Sequence, residues 1–284
     1  MKKIIIASLF VLLFLFVYLF FQLGLNTLFG FIVTMLCLFK YEGNIDVPQL
    51  IAEVESIVLN NTLYILLISA VVSLPIYYVI CRLRHQNIFR VCEFNKTKGA
   101  VIILTAILGI ASSIFLSSVL SFIPVGDWFP EHERLMSILI GGNNLFVILL
   151  VTGIVAPFIE ELIFRGLILN ELNKVTSVTL AVVIQGVLFG LYHLNPLQFI
   201  YGTLLGLLLG YVAVWTKSIW PSIILHVFIN STSTVIGTFM TDEFMMTYRY
   251  WLLAVCLVII AAITAFLFKN RGREAISNYS ELES

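Results

Sequence analysis

The stretch Pro157-Phe-Ile-Glu-Glu-Leu-Ile-Phe-Arg-Gly166 sets two carboxylates and a guanidinium inside an apolar run of about twenty-five residues. A charged side chain at the centre of a spanning helix costs about 2.5 to 3.5 kcal/mol, so no other segment is so expensive to place in lipid. A fold that accommodates it must surround it with other helices or with a polar cavity. On a helix, Glu161 and Arg165 are four apart and face the same way, so they can neutralise each other as an ion pair. Glu160 points about 100° round the helix and is left over, needing a partner from another segment, water, or a proton.

The setting of that segment follows from composition. Of 284 residues, 60% are hydrophobic and 11% charged, with a mean hydropathy of +1.05. These values exclude an ordinary soluble globular domain and predict an all-α polytopic membrane protein. The bilayer is then an obligatory partner, and no nucleic-acid partner is expected. Cys37, Cys81, Cys92 and Cys256 lie in or beside apolar runs without the spacing of a disulfide framework or a zinc site, and read as small apolar residues.

Apolar residues run from Ile4 to Phe39, which as one straight helix of 36 residues would be about 54 Å long against a hydrocarbon core of about 30 Å. Gln22, Gly24 and Asn26 mark the expected break. Two crossings here would put the basic loop Arg82 to Lys98 outside, against the positive-inside rule, so a single crossing is predicted, a first spanning helix rather than a signal peptide. The acidic loop from Lys40 to Ser56 then falls outside. Further spans are expected at Ile57 to Ile80, Ala100 to Ile123, Leu145 to Leu169, Val178 to Leu194, Leu197 to Trp215, Ile219 to Met240 and Tyr250 to Phe268, a bundle of about eight helices. Only Lys40, Arg134 and Arg249 of the sixteen basic residues then lie outside, with Arg165 in the membrane, which predicts a multi-pass protein of the cell membrane with both termini cytosolic. The tail after Phe268 reads as a basic stop-transfer anchor followed by a disordered, Ser-rich extension. Three parts are expected: 1–144 with the cytosolic loop 82–98, a core at 145–240, and 241–284 with the last helix and tail.

Two later spans carry histidines, Phe189-Gly-Leu-Tyr-His193 and His226-Val-Phe-Ile-Asn230, the latter with Asn230 one turn beyond His226 on the same face. Acid, imidazole and amide on three helices are each costly unless they meet around a shared, water-accessible cavity. A serine or cysteine triad has no plausible parts, since no Gly-x-Ser-x-Gly elbow is present. A carboxylate and an imidazole can instead hold and deprotonate a water for amide hydrolysis, while a second imidazole and an amide donate to the tetrahedral oxyanion. Zinc competes, with Glu160, His193 and His226 as the available ligands, although His-Glu-x-x-His is absent; no cofactor is required by the metal-free reading. Depths from the cytosolic helix ends are about 15 Å for Glu160, 10 Å for His226 and 22 Å for His193, so His193 needs helix tilt or a later helix start to join the others. Gly202, Gly206 and Gly210 form a small-x-x-x-small ridge expected to let helices approach closely.

Glu-Glu-x-x-x-Arg, then Phe-x-x-x-His, then His-x-x-x-Asn on successive helices resembles the CPBP family of intramembrane endopeptidases, which includes the type II CAAX prenyl proteases and the bacterial Abi-domain proteins. The resemblance spans roughly residues 145 to 235. It implies that Glu160 and His193 activate the water, that His226 and Asn230 form the oxyanion site, and that Glu161 with Arg165 supports the helix. The expected function is an intramembrane endopeptidase, a hydrolase acting on a membrane-associated peptide or protein at a cavity open to the cytosol. The alternatives are a non-catalytic immunity or scaffold protein that keeps the cluster for binding, and a transporter with an acidic relay, which no inverted repeat supports.

Overall fold

A computed structural model describes residues 1–41, 46–141 and 143–271. Among these the regular structure is helical, with no strand. The principal helices are α1 (Lys2–Lys40), α2 (Val47–Asn60), α3 (Thr62–Leu83), α4 (Gly99–Leu120), α5 (Pro130–Gly141), α6 (Leu145–Asn173), α7 (Val178–Tyr192), α8 (Pro196–Thr216), α9 (Ile219–Phe239) and α10 (Asp242–Asn270). Seven of them, α1, α3, α4, α6, α8, α9 and α10, are long and apolar enough to cross a membrane. The chain is an all-α polytopic membrane protein.

The expected bundle of about eight thus consists of seven helices of spanning length and the short α7, whose 15 residues reach only about 22 Å. At the N-terminus no break occurs at Gln22, Gly24 or Asn26: α1 is one helix of 39 residues. The reason is local, since the run has no proline, and one glycine costs a helix only about 1 kcal/mol. The expected outer loop is also partly helical, because Pro48 and the apolar spacing of Leu50, Val54 and Ile57 build the amphipathic α2, which packs on the end of α1 through Val33, Cys37 and Leu50. The last helix starts at Asp242, eight positions before the expected Tyr250, with Thr241 capping the Phe244 amide. Glu42 and the tail from Gly272 lie outside the described residues.

One apolar core joins the N-terminal helices to the charged segment. Val11, Phe14 and Tyr18 on α1 and Ala70, Tyr77 and Cys81 on α3 pack with Ile159, Ile163, Phe164 and Leu167 on α6, Val182 and Phe189 on α7 and Ile223 on α9. A second cluster joins α4, α8, α9 and α10 through Leu108, Leu209, Leu225 and Ile263. All four cysteines are buried and unbridged.

Two local devices set the position of the polar helices. Where α7 crosses α8, Gly186 and Gly190 face Gly202 and Gly206, and a methyl at Gly206 would stand 2.9 Å from the Gly186 Cα and 3.2 Å from the Phe189 ring. The glycine ridge read from the sequence is a backbone-to-backbone contact at Gly202 and Gly206, while Gly210 makes room for the Gln185 side chain, and the close approach brings Phe189 and His193 against the other polar helices. The second device is the segment after the basic loop. The Glu93 backbone carbonyl accepts from the Ile219 amide (3.0 Å), Asn95 Nδ2 donates to the Lys217 carbonyl (2.7 Å), and Ser218 donates to the Asn95 carbonyl (2.7 Å). These bonds tie down the start of α9, and with it the height of His226. Below them Cys92 packs on Gly166, where a Cβ would come within 2.6 Å of the sulfur, so the arginine motif must be followed by glycine.

Candidate active site

The charged pair expected from spacing is fully enclosed. Arg165 Nη1 donates to Glu161 Oε1 at 2.8 Å, and both side chains are completely buried. The guanidinium also donates Nη2 to the Gly206 carbonyl (3.1 Å), which Gln185 Nε2 shares at 2.9 Å, and it lies 4.4 Å over the face of Phe189. A pair taken out of water survives only if its remaining donors and acceptors are met, and these contacts meet most of them.

Glu161 has further partners. His226 Nδ1 lies 2.8 Å from the same Oε1, and Ser222 donates to Oε2 at 2.5 Å. A carboxylate paired with arginine is ionised and can only accept, so the His226 proton on that side sits on Nδ1. The other ring nitrogen, Nε2, faces Glu160 Oε2 at 3.7 Å, too long for a direct hydrogen bond. Glu160 makes no hydrogen bond to any described residue, and its side chain keeps 14% of its surface. The two adjacent glutamates therefore sit in opposite states: Glu161 is saturated by arginine, imidazole and hydroxyl, and Glu160 is open.

His193 lies at the C-terminal cap of α7 and is half-buried. Its Nδ1 is 2.9 Å from the Phe189 carbonyl, which can only accept, so this ring too carries its proton on Nδ1 and leaves Nε2 free. The Phe189 ring stands edge-on to both imidazoles, with centroids 5.0 Å from His193 and 5.6 Å from His226. That shared phenyl brings His193 to the cluster. The helix begins at Val178, as the sequence suggests, so a late start is not how the depth mismatch is resolved.

Asn230 is not free. α6 is interrupted by π-helical turns at Leu149–Val155 and Leu162–Ile168, on either side of the segment Ala156–Glu161 that carries the glutamates. At the first, the Ala156 amide bonds back to the Val151 carbonyl, and the next residue is Pro157, which has no N–H. The Thr152 carbonyl so loses its helical donor, and Asn230 Nδ2 supplies one at 3.0 Å. One amide hydrogen of Asn230 remains uncommitted.

The structure thus brings Glu160, Glu161, Arg165 and His226 together, sets His193 across Phe189 from His226, and engages Asn230 with α6. Among the described residues no three or more His, Cys, Asp or Glu side chains are grouped to hold a metal ion. Sequence reasoning missed Ser222 and Gln185, both completely buried. The signal was present: Ser222, His226 and Asn230 on α9, and Gln185, Phe189 and His193 on α7, each recur every four residues, so each motif continues one turn toward the N-terminus.

Residues 142–232, which contain all six residues named from the sequence, match the family model described as type II CAAX prenyl endopeptidase Rce1-like. The chain is 31% identical over 101 residues, covering 36% of it and 41% of the relative, to a protein of Bacillus subtilis (strain 168) named as membrane peptidase YdiL. It is 27% identical over 149 residues, covering 48% of it and 58% of the relative, to a protein of Staphylococcus aureus (strain USA300) named membrane-embedded CAAX protease MroQ. The chain spans about half the length of the curated relatives it matches. No solved structure matches it. The resemblance carried by the three motifs is therefore upheld: the site-bearing part of this multi-pass membrane protein is similar to the type II CAAX prenyl endopeptidases and to proteins named as membrane proteases.

Proposed function

We propose that this chain is an intramembrane endopeptidase that hydrolyses a peptide bond of a membrane-associated peptide or protein. The observation that carries the reading is Glu160, partly accessible and without a hydrogen bond to any described residue, facing His226 Nε2 at 3.7 Å, with a second imidazole, His193, held across Phe189 from His226 with its own Nε2 uncommitted. Glu160 and His193 hold a water between carboxylate oxygen and Nε2; Glu160 takes its proton as the oxygen attacks the carbonyl carbon, and passes that proton to the leaving nitrogen as the C–N bond breaks. On the other side of the tetrahedral intermediate, Asn230 offers its uncommitted amide hydrogen. His226 donates there from Nε2 after that nitrogen has taken a proton from solvent, while its Nδ1–H stays on the Glu161 carboxylate opposite. Enclosure by α6, α7 and α9 strengthens these interactions by excluding bulk water. Glu161 and Arg165 carry the ring and the helix.

The test is the membrane peptide complement of cells, read by mass spectrometry, with native chain and single variants at equal protein levels. Glu160→Gln, His193→Ala and His226→Ala should each abolish the new peptide ends that the native chain produces. Asn230→Ala should slow their appearance about 10²- to 10³-fold, the usual cost of one oxyanion donor. Native-rate cleavage by Glu160→Gln sinks the reading.

The proposed chemistry uses no metal. Elemental analysis of active purified protein, with activity followed through chelation, should find no stoichiometric metal and no loss. One zinc per chain, with activity removed and restored along with it, overturns this part and turns Glu160, His193 and His226 into its ligands.

Orientation is proposed with both termini and the loop 82–98 on the cytosolic side, as the basic residues there imply. Single cysteines at positions 46 and 96 of intact cells should then differ, with a membrane-impermeant thiol reagent labelling 46 and sparing 96. The reverse pattern moves the site opening to the other face.

A further inference from the structure

Ser222 lies four residues before His226 on the same face of α9, is completely buried, and belongs to none of the three motifs. Its oxygen is 2.5 Å from Glu161 Oε2 and 3.1 Å from the Leu209 carbonyl. A hydroxyl has one proton to give, and the ionised carboxylate, at the shorter distance, is the stronger acceptor. The other oxygen of Glu161 already receives Arg165 Nη1 and His226 Nδ1, both at 2.8 Å. The terminal torsion of a glutamate is broad, so nothing intrinsic to the side chain fixes how its carboxylate is rolled.

We propose that Ser222 is a positioning residue for His226. By holding Oε2 it fixes the roll of the Glu161 carboxylate, keeps Oε1 opposite His226 Nδ1, and so holds the imidazole in its Nδ1-protonated form with Nε2 turned toward Glu160. Without the hydroxyl, Oε2 is a buried acceptor with no donor. The carboxylate then turns to share Arg165 between its two oxygens, and the ring loses the partner that selects its tautomer. Ser222 lies behind Glu161 and acts through it, as a carboxylate behind a metal-bound histidine sets which nitrogen is free. Its effect on rate rests on the endopeptidase reading, while its effect on the ring does not.

The chain has four histidines, so nitrogen-15 spectra of the full-length protein labelled in its imidazoles contain few signals, and His85→Gln, His132→Gln and His193→Gln variants assign them. Native protein should give His226 as the Nδ1-protonated tautomer. Ser222→Ala should shift His226 to a mixture of tautomers and leave His193, which is held by its own helix, unchanged. Ser222→Thr, which keeps the hydroxyl, should restore the native signals. Cleavage should fall about 10- to 100-fold in kcat for Ser222→Ala, the worth of a hydrogen bond to a charged group, with KM unchanged, and recover in Ser222→Thr. A native His226 signal in Ser222→Ala overturns the proposal, and so does an equal shift in Ser222→Thr, which would make packing the cause. If the native chain cleaves nothing, the endopeptidase reading fails, and the tautomer result still decides the role of Ser222.

Discussion

The buried Glu161–Arg165 pair is the interaction that the rest of the membrane-embedded structure serves. Each ion taken from water carries a penalty of several kcal/mol, and the pair repays it only where geometry is good and the remaining lone pairs and protons are satisfied. Four helices contribute to that satisfaction: α6 supplies both ions, α7 gives the Phe189 face, α8 gives the Gly206 carbonyl, and α9 gives Ser222 and His226. The Gly206 carbonyl is within reach only because Gly186 and Gly206 let α7 and α8 touch at the backbone. Satisfying the pair thus assembles the site, and His226 is positioned as part of the same network.

The segment that carries the glutamates is itself unusual. Two π-helical turns bracket it, and turns of this kind free backbone carbonyls that an α-helix would consume. At the first, Pro157 ensures that the released Thr152 carbonyl stays free for a side chain, and Asn230 binds it. Just beyond the second, Asn170 donates from its side chain to the Gly166 carbonyl one turn back at 2.8 Å and to the Val91 carbonyl at 2.5 Å, linking α6 to the segment before Cys92. Irregular backbone at this depth is tolerated where protein side chains meet the exposed groups, as Asn230 does at the Thr152 carbonyl. The same bonds hold α6 at a fixed rotation, so Glu161 faces the core while Glu160 faces His226.

Much of this was legible in the residues. Composition and hydropathy specify an all-helical membrane chain, four-residue spacing pairs Glu161 with Arg165, and the glycine ridge foretells a close contact between α7 and α8. The leftover status of Glu160 followed from one turn of arithmetic. Other features were hidden for physical reasons. The contact between Asn230 and Thr152 depends on π turns, which no periodicity announces. The continuity of α1 depends on how little one glycine weakens a long apolar helix. Ser222 looked like any small polar residue near a helix start, where Ser218, four positions earlier, fills the capping role by accepting from the Trp220 amide.

The central claim is that adjacent glutamates divide the work, Glu161 holding the bundle together and Glu160 remaining free for a water. Thermal unfolding in detergent of the Glu160→Gln and Glu161→Gln proteins tests that division without reference to any substrate. Glu160→Gln should unfold at or above the native temperature, since it removes a largely buried carboxylate that no hydrogen bond from a described residue satisfies. Glu161→Gln should lose about 3 to 5 kcal/mol, the cost of stranding one member of a buried ion pair, and should unfold well below it. Equal losses in the two proteins, or a larger loss in Glu160→Gln, would contradict the account.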